Sequence, residues 1–517
     1  MRTWPFVLAV AACQAPSNLD IKVGGSADQL WDLAPDGTEV GVVATPRAIG
    51  LVLDGITAAQ KLFNLDDFAP MRTNARALIG AILGTPDATP ESAGLARDKG
   101  FAMFITPDGV LGVIPVGDRD KFMATKHGKR GEIDELSGNT CKPIKDNYVC
   151  ATNPKLFDQL GTKSLKGKAS TLAGGHGDIE VYATQLPLFD GEPADVAVAI
   201  GMQRGQLDVR ATWTGKPVGM LAALSGTTVP KPNVTNASGF VAVDVSKLVT
   251  DLPPFPLAGD VTFDRFAKSL AGPVTATIPA GSVDIQITAP VTDVAPAKTV
   301  LDNCPALGQI LDLAPQQPKD ACRFRMQAAS MIELEAWVDE AAKAIRVGSH
   351  RAAPATAITS ALTPIGKELA TGDWTAVFWG RGTLLNLTGV TPTTQDVPPA
   401  GSAALHAISL VNELGLGIQV GDQGVHVRGV LRTVWTNPAA VVDKIVAVTG
   451  NDILKAKATA TGQAIATEAP DSPFAADFAA GQGGLMVPAA AMGIASAIIL
   501  PLFDSLLSTE PQLDVPG

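Results

Sequence analysis

The chain has 517 residues, 46% of them apolar, and its 40 Lys and Arg against 51 Asp and Glu give a formal net charge of −11. This composition supports a buried core and excludes intrinsic disorder for most of the chain. A charged fraction of 18% together with 51 Gly and 38 Pro excludes a coiled coil. The one dense basic stretch, residues 126–130, is too short to serve as a nucleic-acid-binding face.

The first residues have the order of an export signal. Arg2 supplies a positive charge, residues 4–12 carry none, and Cys13 ends the motif Val-Ala-Ala-Cys at residues 10–13. This motif resembles the lipobox of bacterial lipoproteins, which implies that Cys13 is the first mature residue and carries the lipid. Gln14 stands where an Asp would imply retention at the inner membrane, so the resemblance implies the outer membrane. The alternative is a chance apolar N-terminus with a buried cysteine.

Four cysteines remain, and they fall into two local pairs: Cys141 with Cys150, and Cys304 with Cys322. An even number of cysteines in an exported chain predicts disulfides, and closeness favours these two pairings. Each bond would stabilise the fold by roughly 2–3 kcal/mol. Spacings of 9 and 18 residues do not suit a four-cysteine metal site, which is one alternative. Free buried thiols are the other.

A recurring order of elements follows a polar tether at residues 14–30. Residues 37–45 predict a strand and residues 46–56 a helix that begins near Pro46. A hairpin, a helix, a strand and a short helix come next. Their predicted bounds are 101–106 with 110–116 for the hairpin, a helix capped by Asp118, 147–152 for the strand and 154–160 for the last helix.

Three further copies of the order hairpin, helix, strand and helix are predicted. The second copy comprises 196–200, 207–213, 216–224, 239–243 and 246–252. The third comprises 332–338, 344–349, 355–369 and 374–379. The fourth comprises 414–420, 425–435, a helix from Asn437, 463–467 and 473–478. A strand at 282–288 and a helix at 295–313 repeat the opening strand and helix.

The copies predict an α+β fold in which two similar halves of antiparallel sheet, built from repeated ββαβα units, are covered by helices. The first half spans residues 31–255 and the second residues 256–483, with a Pro-rich linker at 251–260. Chance similarity between the copies is the alternative.

The last segment, residues 484–517, combines an apolar stretch and an acidic tail. Residues 485–503, from Leu485 to Phe503, contain no charge, and their length suits a membrane span. Pro488 and Pro501 lie within the stretch, and no Lys or Arg follows it. It is therefore either a second membrane contact or a helix buried against protein.

The sequence offers little catalytic chemistry. None of the five histidines, which are His127, His176, His350, His406 and His426, forms a metalloprotease motif, and there is no nucleophile elbow or phosphate-binding loop. His176 lies in the glycine-rich stretch 174–178, which favours a surface turn over the alternative, a metal or phosphate site. Glu333 and Glu335 alternate along a strand and are expected on its solvated face. No metal and no cofactor is therefore predicted.

Two functions remain open. The first is a non-catalytic envelope lipoprotein that binds a partner protein, a lipid or a wall component through a sheet face or the cleft between the halves. Helix starts at residues 118–122 and 437–441 resemble those of uncharacterised envelope lipoproteins with domains of unknown function, a resemblance that implies no activity. The second is an exported hydrolase with scattered catalytic groups. Four tryptophans at predicted strands are candidates for a binding face or for the core: Trp213, Trp374, Trp379 and Trp435.

Overall fold

The computed structural model describes most of the chain between residues 27 and 484. The described residues are 27–65, 69–161, 165–186, 193–203, 206–231, 237–244, 246, 256–279, 286–303, 314–316, 321–325, 333–349, 362–381, 410–433, 438–470, 475–481 and 484.

Twenty-one strands lie in this part of the chain. They are β1 Val40–Ala44, β2 Phe101–Thr106, β3 Gly109–Ile114, β4 Asp134–Leu136, β5 Asn139–Ile144, β6 Asn147–Ala151, β7 Ile179–Leu186, β8 Ala194–Gln203, β9 Gln206–Trp213, β10 Ala237–Val243, β11 Pro256–Ala258, β12 Val261–Thr262, β13 Val274–Pro279, β14 Gln286–Pro290, β15 Ala314–Gln316, β16 Ala321–Arg325, β17 Glu333–Asp339, β18 Ala344–Ser349, β19 Ala376–Arg381, β20 Val411–Gly421 and β21 Gly424–Thr433.

Twelve α-helices and one 3-10 helix, Pro154–Gln159, accompany these strands in the described residues. The α-helices are α1 Ala27–Trp31, α2 Pro46–Phe63, α3 Ala69–Leu83, α4 Arg119–Thr125, α5 Lys168–Ala173, α6 Gly219–Leu224, α7 Phe263–Lys268, α8 Val294–Asp302, α9 Pro364–Thr371, α10 Pro438–Ala447, α11 Ile453–Glu468 and α12 Ala475–Ala479.

Nineteen of the strands form one antiparallel sheet, so the α+β class expected from the sequence is confirmed. Successive pairings give the order β4-β5-β6-β3-β2-β1-β7-β8-β9-β21-β20-β19-β10-β13-β14-β18-β17-β16-β15. Strands β11 and β12 form a separate pair. The N- and C-terminal parts of the sheet meet at a single contact between β9 and β21.

Helices pack on both faces of this sheet, and residues opposite each other in neighbouring strands share a face. On the first face, Trp31 of α1 packs with Val43, Phe104 and Tyr182. On the second face, Ala48 and Leu51 of α2 pack against β8 and β9 at Ile200, Met202 and Leu207. Alternation of apolar side chains along the strands therefore supplies a core to each layer of helices.

Local sequence signals account for several of these elements. The side chain of Asp118 accepts a hydrogen bond of 3.1 Å from the Lys121 amide, so the expected N-cap of α4 is confirmed. Hairpins form at β2–β3, β8–β9, β17–β18 and β20–β21, as the turn residues predict.

Three expectations are wrong. The strand expected at residues 463–467 lies inside α11, so the fourth ββαβα unit does not exist in that form. Residues 27–30 of the expected tether are helical instead, because α1 buries Leu30 and Trp31 in the core. Glu335 was expected in solvent, but it is 5% exposed and accepts a hydrogen bond of 3.0 Å from Arg323 on the next strand.

Other expectations fall on residues that are not described. Three predicted helices are affected: residues 247–252 of the helix expected at 246–252, residues 355–361 of the helix expected at 355–369, and residues 304–313 of the helix expected at 295–313 are not described. The whole apolar stretch 485–503 also lies outside the described residues. Helices α9 and α8 account for the described parts of the second and third of these predictions.

Candidate functional site

The predicted disulfide between Cys141 and Cys150 is confirmed. The two cysteines lie directly opposite each other on β5 and β6, which is why the local pairing works. Cys322 is buried on β16 and disulfide-bonded, while Cys304 lies outside the described residues, so their pairing stays a prediction. Cys13 also lies outside the described residues, and its lipidation stays a prediction.

The glycine-rich stretch 174–178 joins α5 to β7 and holds His176 beside a buried carboxylate. His176 Nδ1 lies 3.1 Å from Glu180 Oε1, and Trp31 donates its indole N–H to Glu180 Oε2 at 2.8 Å. Glu180 is completely buried, whereas the His176 side chain is 65% exposed. The carboxylate orients the imidazole and leaves Nε2 open to solvent.

The end of this loop is fixed by Asp178, which is also buried. Arg47 donates to both carboxylate oxygens of Asp178, at 2.8 and 2.5 Å, and the Met202 amide donates to Oδ2 at 2.6 Å. Loop 174–178 is therefore held rigidly at its C-terminal end by charge-assisted bonds, which are about twice as strong as neutral ones.

A carboxylate-held histidine can act as a general base or as a metal ligand. Within the described part of the chain, no group of three His, Cys, Asp or Glu side chains is placed to hold a metal ion. The hydroxyl of Ser170 on the adjacent α5 donates to the Gly167 carbonyl at 3.2 Å. The sequence analysis did not pair His176 with Glu180, although they are only four residues apart. Trp31 is 149 residues from Glu180, and no local signal links the two.

An arginine cluster joins the two parts of the sheet. Arg210 of β9 lies directly opposite Arg428 of β21. Arg428 donates to Glu368 Oε1 at 2.8 Å and to Asp208 Oδ2 at 2.9 Å, and Arg210 donates to the Gly174 carbonyl at 2.9 Å. Burial works to lower the pKa of Arg428, but the two carboxylates outweigh it and raise that pKa above its ordinary value.

This cluster fixes the joint between β9 and β21 rather than opening a cleft there. Two carboxylates from different elements, Asp208 on β9 and Glu368 on α9, engage one buried guanidinium. His426 lies two residues before Arg428 on the strand, and its Nδ1 is 3.0 Å from the Thr212 hydroxyl. His426 is therefore a strand-face residue, as the alternation predicts. His127 has a positive φ of 54° just after α4, and His350 and His406 lie outside the described residues.

The predicted tryptophans belong mainly to the core. Trp213 and Trp379 are buried, and Trp379 donates its indole N–H to buried Glu413 at 2.8 Å. Trp374 is half-buried on Gly417, and Trp435 lies outside the described residues. No exposed aromatic binding face arises from the three described tryptophans.

The second face of the sheet carries an apolar patch, which we define as Phe378, Leu414, Leu416 and Leu431. Leu416 lies opposite Phe378, and Leu414 lies opposite Leu431, on the adjoining strands β19, β20 and β21. Leu414 and Leu416 are 43% and 40% exposed. Among the strand residues with a described exposure, these two are the only exposed large apolar side chains on the main sheet.

Glycines deepen the patch beside both leucines. Gly380 lies opposite Leu414 on one side, and Gly429 lies opposite Leu416 on the other. Val241 of β10 continues the apolar surface, since it pairs with Phe378. Protruding leucines next to glycines form a ridged surface into which another apolar segment can pack, and the exposed leucines make it a candidate binding surface.

None of the described helices is long and apolar enough to cross a membrane. No protein-family model, no curated protein and no solved structure matches this chain.

Proposed function

We propose that the protein is a non-catalytic lipoprotein of the bacterial cell envelope, anchored in the outer membrane through Cys13, that binds an apolar segment of a partner protein. The apolar patch carries this proposal. It presents two exposed leucines, Leu414 and Leu416, beside the half-buried Phe378 and Leu431 on three hydrogen-bonded strands, and an apolar surface of this kind suits an amphipathic partner helix. The patch is less suited to binding a wall glycan, because none of its four side chains can form a hydrogen bond with a sugar hydroxyl.

We further propose that the chain arose by duplication, because the two parts of the sheet have the same pairing scheme. Strands β4-β5-β6-β3-β2-β1-β7-β8-β9 correspond in order to β16-β17-β18-β14-β13-β10-β19-β20-β21. The boundary then falls between β9 and β10, before the linker at 251–260. An experimental structure with different neighbours for β13, β14 or β18 would contradict this proposal.

Local details support the same correspondence. Val116 forms an isolated β-bridge with Leu95 just before α4, and Val291 forms one with Leu270 just before α8. Asp118 caps the first of these helices and Asp293 the second. An aromatic side chain also donates a hydrogen bond to an acidic side chain of the next strand in each half. Tyr182 of β7 donates to Asp195 of β8, and Trp379 of β19 donates to Glu413 of β20.

The proposed correspondence explains why the patch is exposed. Matching the hairpin end at Gln206 with that at Gly424 places Leu416 at the position of Val198 and Ile418 at that of Ile200. In the first half, α2 packs on Val198 and Ile200. Residues 45–100, which join β1 to β2, contain α2 and α3. Residues 244–273, between β10 and β13, are fewer, and their described part contains the strand pair β11–β12 and the short helix α7.

We expect the double variant L414E/L416E to abolish partner binding without unfolding the protein. Both side chains are exposed, and surface substitutions usually change stability by less than about 0.5 kcal/mol. A photocrosslinking amino acid at Phe378 should capture a discrete partner protein in intact cells, and L414E/L416E should remove that adduct. The control position is Leu454, which is 58% exposed on α11. Equal adducts from both positions, or an adduct that L414E/L416E leaves unchanged, would contradict binding at the patch.

We expect Cys13 to carry the lipid. A labelled fatty acid supplied to growing cells should be incorporated into the protein, and C13S should abolish both the label and membrane fractionation. The physical reason is that the acyl chains of the lipid hold the protein on the bilayer through buried CH₂ groups, about 0.8 kcal/mol each. Label retained in the C13S protein would rule out this anchor.

The alternative function, an exported hydrolase, draws on the His176–Glu180 pair, because the orientation of His176 by a buried carboxylate is a feature of catalytic bases. Turnover of an ester, peptide or glycan that H176A removes would favour this alternative over a binding role.

A further inference from the structure

We infer that His176 and Arg210 form a binding site for a phosphate monoester group, a chemistry shared by free phosphate esters and by some lipid headgroups. The site lies on the first face of the sheet. Leu207 of β9 packs with α2 on the second face, and Arg210, three residues later on the same strand, lies on the opposite one. The site is therefore separate from the apolar patch and goes beyond the proposed function.

The fold brings the two side chains together at loop 174–178. Glu180, Ala199 and Arg210 lie opposite one another on β7, β8 and β9, so they share the first face. Because Ala199 has only a methyl side chain, Arg210 extends across it, and its Nη1 donates to the Gly174 carbonyl at 2.9 Å. His176 follows two residues later and is held at the Glu180 carboxylate. The guanidinium and the imidazole therefore lie next to each other.

Gly175 provides the space that the guanidinium occupies. A Cβ at this position would lie 2.1 Å from Arg210 Nη1 and 3.3 Å from Arg210 Cζ, so any larger residue would displace the guanidinium. The side chain of Arg210 is nevertheless 39% exposed. The loop therefore holds the arginine in place and leaves part of it accessible to a ligand.

No bonded carboxylate neutralises Arg210 in the described part of the chain. Its nearest carboxylate oxygen there is Asp208 Oδ1, which lies 3.8 Å from Arg210 Nε, beyond hydrogen-bond distance. Asp208 instead accepts from Arg428 with both of its oxygens. Asp178, at the end of the loop, is bound in the same way by Arg47. The charge and the remaining N–H groups of Arg210 are therefore available for an anion.

His176 supplies the second donor. Its Nδ1 lies 3.1 Å from Oε1 of the buried Glu180, which also accepts from Trp31 and from the Gly177 amide. An ionised carboxylate can only accept hydrogen bonds, so Nδ1 carries a proton and Nε2 faces the solvent. An anion bound at Nε2 would hold the imidazolium between two negative charges, an arrangement of charge-assisted hydrogen bonds.

The number of donors distinguishes among anions. A guanidinium donates two parallel hydrogen bonds to two oxygens of one group. A carboxylate and a phosphate diester each have only two such oxygens, whereas a phosphate monoester has a third terminal oxygen for Nε2 of His176. Its charge of about −1.5 to −2 at pH 7 also matches Arg210 together with a protonated His176. The arrangement therefore favours a phosphate monoester.

The test is isothermal titration calorimetry of the purified full-length protein at constant ionic strength, with inorganic phosphate, glycerol 3-phosphate and acetate as probes. Saturable binding is expected for the two phosphates and not for acetate. R210Q and H176Q should each weaken phosphate binding by about tenfold or more. G175A keeps both side chains but displaces the guanidinium, so it should weaken binding as well. The control R265Q removes the same charge from an arginine that is 56% exposed on α7 and should bind phosphate like the wild type.

A water-soluble short-chain phosphatidic acid distinguishes the two sources of the phosphate. Tighter binding of this lipid than of glycerol 3-phosphate would assign the site to a lipid headgroup, and equal or weaker binding would assign it to a free ester.

Three results would overturn the inference: no saturable phosphate binding, acetate bound as tightly as phosphate, or phosphate binding that H176Q leaves unchanged. The side chain of His176 is 65% exposed, so H176Q tests the site even if R210Q fails to fold. The patch variant L414E/L416E should keep phosphate binding, so failure of this site and failure of the proposed function can be told apart.

Discussion

Asp134→Ala is expected to lower the free energy of unfolding by about 3–5 kcal/mol, because it leaves the buried Tyr148 hydroxyl and the partly exposed Arg119 guanidinium without their shared acceptor. Asp134 is completely buried on β4. Its Oδ2 accepts hydrogen bonds from Arg119 Nε and from the Tyr148 hydroxyl, both at 2.7 Å, and the Gly131 amide donates to Oδ1 at 3.0 Å. One carboxylate thus ties β4 to α4 and β6.

Tyr148→Phe is the matched control for this substitution. It removes one of the donors and leaves Arg119 on the carboxylate, so the expected loss is smaller, about 1.5–3 kcal/mol. Chemical denaturation of both variants measures the difference. A D134A protein as stable as the wild type, or less affected than Y148F, would contradict the role assigned to Asp134.

The same residue predicts a pH dependence. Burial raises the pKa of Asp134, but the bonds from Arg119, Tyr148 and Gly131 outweigh it and hold that pKa well below its ordinary value. Stabilisation by a carboxylate of lowered pKa is fully present above the unfolded value of about 3.9 and is lost as pH falls through the folded value. The stability difference between wild type and D134N is therefore expected to shrink below about pH 4.

Local chemistry made the hairpins and the Asp118 cap predictable, because turn residues and a capping carboxylate act within a few residues. Local chemistry did not predict the burial of Glu335. Its alternation with Glu333 suggested a solvated face, but the neighbouring strand brings Arg323 to it, and that pairing is not local. The exposed patch could not be predicted for a similar reason. Leu414 and Leu416 alternate with glycines along β20, a pattern that does not distinguish a covered face from an exposed one, and only the pairing of the strands places the patch.

Helix α11 was mistaken in part for a strand because residues 463–467 combine β-branched and small side chains without a clear apolar stripe. Tertiary contact decides the outcome there. Ala464 and Ile465 enter the same core cluster as Val441 of α10 and Phe478 of α12, and a helix supplies that packing. Among the site residues, the cysteine pair 141–150 was predictable from spacing, whereas Glu180 with Trp31 was not.

Gly462→Ala is expected to destabilise the protein by about 1–3 kcal/mol, the cost typical of overpacking. The sign of this change is informative, because alanine in a helix interior normally stabilises a protein by about 0.5–1 kcal/mol relative to glycine. A Cβ at Gly462 would lie 1.8 Å from the Phe478 carbonyl oxygen, a backbone atom of α12 that cannot rotate away. Helices α11 and α12 would have to separate.

Gly80→Ala on α3 is the matched control, because a Cβ there would lie 3.4 Å from Pro86 Cδ, at ordinary contact distance. Urea unfolding should therefore show a gain or no change for G80A and a loss for G462A. Stability changes of the same sign in both variants would mean that the approach of Phe478 to Gly462 does not limit the packing of α12.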